Sequence, residues 1–218
     1  MHTAIFRQFM LGMILALATL PETLAQAPSP EIVPGIFLPD HGNVWILDTS
    51  GEKKALLQLK YVQVKVNSHR GANFGRSLAW PVTTKVKQTV EIPGTAAPLR
   101  ISTTSPVLYI RSILQDPEEA AQTSAPGSKL ALMHLQPVKD ARVVDTLNFT
   151  MITGHSSRDV SAIEFVSEPI PGTNWIKLTL AKPLDAGEYA VTWLTNQADT
   201  FSSVVYDFGI GNPAQAKK

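Results

Sequence analysis

The chain contains no cysteine in 218 residues, and that absence excludes a good deal. Disulfides, thiolate metal sites, iron–sulfur clusters, cysteine nucleophiles and a lipid anchor on a processed cysteine are all ruled out. An excess of charge is also missing. Lys and Arg number 19 against 18 Asp and Glu, a net charge of +1. This leaves no basic footprint for nucleic acid and no acidic tail. Aromatic residues are few, at 7%, but the hydrophobic fraction of 44% lies in the globular range and argues against a disordered chain. No stretch reaches the ~18 consecutive apolar residues of a transmembrane helix.

What is present begins with an export signal. Arg7 supplies a positive start, Phe9–Leu20 is apolar, Pro21 breaks the helix, and Ala25-Gln26-Ala27 fits the small-x-small cleavage pattern. As a helix the apolar stretch rises about 18 Å, short of the ~30 Å hydrocarbon core. Residues 1–27 therefore read as a signal peptide, with a retained anchor as the alternative. Cleavage leaves a mature chain without a membrane span, placed in the periplasm or outside the cell.

The mature chain is dominated by a period of two. Val204, Tyr206, Phe208 and Ile210 alternate with other residues, as do Tyr189, Val191 and Trp193, then Ile176, Leu178 and Leu180, and Val86, Val90 and Ile92. Such alternation places one face on a core and one in water, the habit of antiparallel sheets. Turn signals separate the runs, among them Pro93-Gly94-Thr95 and Pro171-Gly172-Thr173-Asn174. The apolar phase flips once, from Leu57, Leu59 and Tyr61 to Val62, Val64 and Val66. That flip requires a bulge or a crossing from one sheet to another. A single helix start stands out: Asp116 caps, Pro117 takes the first position, and Glu118 and Glu119 favour the positive end of the dipole. The expected fold class is all-β, an antiparallel β-sandwich with one short helix near 116–122. Residues 28–211 read as one domain and 212–218 as a frayed tail. Two small sandwiches over 31–113 and 127–211 are the alternative.

Candidate chemistry is sparse. His41, His69, His134 and His155 show no metal-ligand spacing and no His-Glu-x-x-His. Gly209-Ile210-Gly211 lacks the third glycine and the following helix of a dinucleotide site. No catalytic residue, metal site or cofactor is expected. The richest binding segment is a Gly-containing loop carrying His69, Arg70, Asn73, Phe74 and Arg76. Its arginines offer forked donors to an anion or sugar, and Phe74 offers a stacking face. The plainer reading, and the favoured one, is a long hairpin connection that needs Gly at positive φ. Trp45, Trp80, Trp175 and Trp193 would form a carbohydrate platform if exposed and coplanar, and core packing if not.

The segment Leu184-Asp185-Ala186-Gly187-Glu188-Tyr189, following the strand from Trp175 to Leu180, resembles the tyrosine corner of immunoglobulin-like domains. The resemblance implies a Greek-key sandwich in which Asp185 starts the corner, Gly187 permits its turn, and the Tyr189 hydroxyl bonds back to upstream backbone. More broadly, the chain resembles a group of uncharacterised exported bacterial proteins. The shared tags are Val33-Pro34-Gly35-Ile36-Phe37-Leu38, a mid-chain Pro106-x-Leu108-Tyr109-x-Arg111, a Gly-Glu-Tyr-Ala segment at 187–190 and a terminal Asp-Phe-Gly at 207–209. No activity follows from that resemblance. The expected function is a non-enzymatic interaction or structural module of the cell envelope, with an unidentified protein or glycan partner. A carbohydrate-binding module and a hydrolase with a dispersed site are the alternatives.

Overall fold

The computed structural model describes residues 29–68, 85–112, 114, 120, 123, 128–150, 156–159, 161–194 and 203–211. The signal segment 1–27, the loop from His69 to Arg76, Trp80, His155 and the tail 212–218 lie outside the described residues. So does the expected helix near 116–122, apart from Ala120, which is helical.

Strand is the dominant regular structure of the described chain. It runs through β1 (Glu31–Val33), β2 (Ile36–Phe37), β3 (Val44–Asp48), β4 (Ala55–Leu59), β5 (Tyr61–Val62) and β6 (Lys65–Asn67). Then come β7 (Lys85–Pro93), β8 (Arg100–Ile101) and β9 (Val107–Arg111). The second half supplies β10 (Lys129–Val138), β11 (Ala141–Thr150), β12 (Ser156–Asp159), β13 (Ala162–Ile163) and β14 (Phe165–Pro169). It ends with β15 (Trp175–Leu180), β16 (Gly187–Leu194) and β17 (Val205–Ile210).

Two sheets carry the fold, both built of antiparallel pairs apart from the short parallel pairing of β8 with β17. One has five strands in the order β14-β15-β9-β3-β4. The other has ten, along the path β5-β17-β16-β10-β11-β7-β6 with β8, β12 and β13 alongside. Each sheet mixes strands from both halves of the chain, since β9 pairs with β15 and β7 pairs with β11. The apolar phase flip is a sheet crossing. β4 ends at Leu59 in the five-stranded sheet, Lys60 is the connector, and Tyr61–Val62 pair with β17 in the larger one.

β5 and β6 lie at opposite ends of the large sheet, yet only Gln63 and Val64 separate them. The sheet must therefore curl back on itself. Its interior holds Val90, Ile92, Ala131, Met133, Leu135, Val144, Ala190 and Val205, with Val62 and Val64 packed against them. The opposite face of β10, β16 and β17 packs on the five-stranded sheet through Leu132, Tyr189, Val191, Trp193, Tyr206, Phe208 and Ile210, against Val44, Ile46, Leu108, Ile110 and Leu178. A third cluster, Leu38, Trp45, Leu47, Tyr109 and Trp175, covers the outer face of the five-stranded sheet.

This arrangement corrects one expectation. The alternation in 188–194 and 204–210 predicts one wet face, but β17 is buried throughout and β16 everywhere except Leu194. These strands form the middle of three layers. Their second face carries small or polar residues, Ala190, Thr192 and Asp207, which mimic a solvated pattern. Thr192 fits there because its hydroxyl donates to the Val204 carbonyl at 2.9 Å, leaving no unsatisfied buried group.

Candidate functional site

The corner after β15 is the best-defined local structure. The Tyr189 hydroxyl donates to the Asp185 carbonyl at 2.8 Å. Its ring stacks on Phe208 of the neighbouring strand, with centroids 5.6 Å apart, and meets the His134 ring at 5.2 Å. Burial first, and the Asp185 charge second, push the phenol up to about 12. The phenol therefore stays a hydrogen-bond donor across any physiological pH. Space around Gly187 is tight. A Cβ there would lie 3.0 Å from His134 Nε2 and 3.4 Å from the Tyr189 oxygen.

Beneath the corner sits a cluster of buried charge. Arg142 Nη1 donates to Asp207 Oδ2 at 2.6 Å and to Glu188 Oε2 at 3.3 Å. Arg100 Nη1 donates to Glu188 Oε1 at 2.5 Å. Arg142 and Glu188 side chains are each 1% exposed and Asp207 2%. Backbone groups complete the set. Arg142 Nε and Nη2 donate to the Gly94 and Pro93 carbonyls, and Arg100 Nε and Nη2 to those of Gly211 and Ile210. The Ala97 amide donates to Glu188 Oε2 at 2.6 Å. Two cations face two anions, so the cluster is neutral, and almost every donor has an acceptor. This is the condition under which buried ions are tolerated.

The two tags noted in the sequence thus meet in space. Register places Gly187 opposite Ile210, Glu188 opposite Gly209, Tyr189 opposite Phe208 and Ala190 opposite Asp207. Glu188 and Asp207 supply the anions, Tyr189 and Phe208 stack into one core, and Ala190 lines the other. Gly209 lacks a side chain because a Cβ would run into the Arg100 guanidinium. Each of these residues has a structural duty.

Above the corner opens a cleft of about 560 Å³. One wall is the end of β10, from His134 to Pro137, and the other is the segment 181–187. Ile163, Glu164, Glu188 and Tyr189 complete the lining. The 181–187 wall is held at three points. The Ala181 amide donates to the Glu164 carbonyl at 3.3 Å, the Leu184 amide to the Thr104 carbonyl at 2.7 Å, and the Tyr189 hydroxyl to Asp185. The side chains of Glu164, Lys182 and Asp185 all line this cleft and take no hydrogen-bond or ion-pair partner within the described chain. The result is a concave surface with an apolar base and charged groups of both signs at its rim, the usual make-up of a binding site.

Of the candidate residues, Asp185, Gly187 and Tyr189 come together at the corner. His69, Arg70, Asn73, Phe74 and Arg76 lie outside the described residues. Sequence reasoning missed the cleft and the buried ions. His134 and Lys182 stand far apart in the sequence with nothing to join them, and Arg100 and Arg142 look like ordinary surface arginines. Trp45, Trp175 and Trp193 are buried. Trp175 is roofed by Arg111, whose guanidinium carbon lies 4.5 Å from the ring centroid, and Trp45 donates from Nε1 to the His41 carbonyl. These three do not form an open aromatic platform. Among the described residues no group of His, Asp and Glu is arranged to hold a metal, and no helix is long and apolar enough to cross a membrane. Comparison with known families finds no match, and comparison with curated proteins finds no relative.

Proposed function

We propose that the mature chain is an exported, non-enzymatic interaction module of the bacterial cell envelope that recognises its partner through the corner cleft. The carrying observation is that cleft itself. It is a preformed concavity whose rim charges Glu164, Lys182 and Asp185 take no side-chain hydrogen-bond or ion-pair partner among the described residues. Charged rim groups around an apolar base suit recognition, because the base supplies burial and the rim supplies register and selectivity. The walls are fixed by hydrogen bonds and by the buried ion cluster below, so little ordering cost falls on binding. Export is supported by the 1–27 signal pattern. The immunoglobulin-like reading is supported by the corner bond. The buried state of three of the four tryptophans favours this module over a carbohydrate platform.

The test is site-specific photo-crosslinking in the native envelope. A benzophenone side chain at Gln136, on the cleft wall, should give one discrete adduct, and the same probe at Lys177 on β15 should not. The exported protein should begin at Pro28. Equal adducts from both positions would refute the cleft as the recognition surface. Turnover of a chromogenic ester or glycoside by the purified mature chain would refute the non-enzymatic reading.

A further inference from the structure

The five-stranded sheet has two edges, and they are built differently. β14 carries Ser167, Glu168 and Pro169, with Glu168 facing Lys177 across the ladder. A charge and a proline are the usual means of keeping a sheet edge from pairing further. β4, at the other edge, is Ala55-Leu56-Leu57-Gln58-Leu59 and carries neither. Its leucines serve both faces. Leu57 and Leu59 belong with the core between the sheets, and Leu56 with the cluster on the outer face. Apolar residues on both faces mark an interior strand. Yet β4 pairs only with β3, and among the described residues no other strand lies along its outer edge. Leu56 and Leu57 are left half-buried.

The flanks indicate what covers this edge. Lys53 and Lys54 precede the strand and Lys60 follows it, all three exposed, with Glu52 further back in the turn. A second copy pairing antiparallel about Leu57 would set Lys54 directly opposite Lys60 at each end. An in-register parallel pair would set each lysine beside its own copy. Like charges directly opposite destabilise a strand pair, so the edge is biased against self-association. It is complementary to a strand with carboxylates at its ends.

We propose that the outer edge of β4 accepts an extended segment of a partner protein as a sixth strand, apolar in the middle and acidic at both ends. Main-chain hydrogen bonds supply the affinity, and burial of the exposed halves of Leu56 and Leu57 adds to it. The flanking lysines select the charge. This surface is separate from the corner cleft, and the inference stands or falls without it.

The experiment titrates the full mature chain with two synthetic peptides, each an alternating Val-Thr core flanked on both sides by Asp pairs or by Lys pairs. The Asp-flanked peptide should bind about tenfold more tightly at low salt, the scale expected of a few exposed charge pairs. The doubly charge-reversed Lys54→Glu/Lys60→Glu variant should invert the preference. Both substitutions are at exposed positions, so the fold is kept. Hydrogen exchange at the alternate β4 amides that point away from β3 should slow only when peptide is bound. Equal affinity for the two peptides, no binding of either, or an unchanged preference in the variant would overturn the proposal. So would protection, already in the free monomer, of the alternate β4 amides that point away from β3, which would show that another segment of this chain covers the edge. Protection that rises with protein concentration alone would overturn it in favour of a second copy.

Discussion

The buried ion cluster makes the sharpest stability prediction. In an Arg142→Met variant, Asp207 loses its 2.6 Å partner and Glu188 keeps only Arg100 and the Ala97 amide. A neutral cluster becomes a buried net charge of −1. Breaking a buried pair by removing one member costs about 3–5 kcal/mol, because the abandoned charge stays desolvated. For a chain of this length that corresponds to a Tm lower by roughly 10 °C. Adding Asp207→Leu removes the orphaned carboxylate and restores neutrality, with Arg100 facing Glu188. The double variant should therefore be more stable than Arg142→Met alone by about 2 kcal/mol, even though the Pro93 and Gly94 carbonyls still lack their donor. Urea unfolding followed by tryptophan fluorescence reads four proteins: wild type, Arg142→Met, Asp207→Leu and the double variant. A single variant within about 1 kcal/mol of wild type, or a double variant as unstable as the sum of the two singles, would refute the cluster as a coupled, charge-balanced unit.

Other outcomes follow from the corner and its neighbours. Tyr189→Phe should cost about 1 kcal/mol by thermal or urea unfolding, at the low end for a lost hydrogen bond, because Asp185 is exposed and water can reach its carbonyl. The phenol's raised folded pKa, about 12, fixes a sign. Its contribution is fully present below the unfolded value near 10 and is lost as pH rises through 12. Wild type should therefore lose stability, on the order of 2 kcal/mol, between pH 10 and 12. The Phe variant should lose less over the same window. Gly209→Ala should destabilise by about 1–3 kcal/mol, since its Cβ drives into an arginine pinned by Glu188, Ile210 and Gly211. Shortening Arg100 to Ala in the same chain should relieve that clash, so the two substitutions together should cost less than their sum.

How far the sequence reveals this fold depends on the range of the contacts involved. The strands and their turns are local, and alternation of Val, Leu and Ile with polar residues marks them well. The sheet crossing at Lys60 is legible because a period-two pattern cannot change phase within one flat strand. The corner is legible because all of its parts lie between Leu184 and Tyr189. Sheet order and the three-layer burial are not legible. Alternation distinguishes apolar from polar faces, and the second face of β16 and β17 is lined by Glu188, Thr192 and Asp207. Glu188 and Asp207 are buried because Arg100 and Arg142 arrive from distant strands to neutralise them, and Thr192 because its hydroxyl donates to the Val204 carbonyl. The cleft escapes for the same reason, since its walls come from 134–137 and 181–187 and meet only after folding. The stretch from Ala162 to Pro169 is not one continuous strand. It divides at Glu164, where the chain leaves β10 for the other sheet as β14 and the Glu164 carbonyl instead accepts the Ala181 amide.

Recognition through the corner cleft is tested most directly by mapping amide chemical shifts of the mature chain as it binds the partner recovered by crosslinking. The account predicts that the perturbed amides cluster around Gln136, Glu164, Lys182 and Asp185, and that Lys182→Glu weakens the complex without changing stability. Perturbations confined to other surfaces, with those four amides unmoved at saturation, would contradict it.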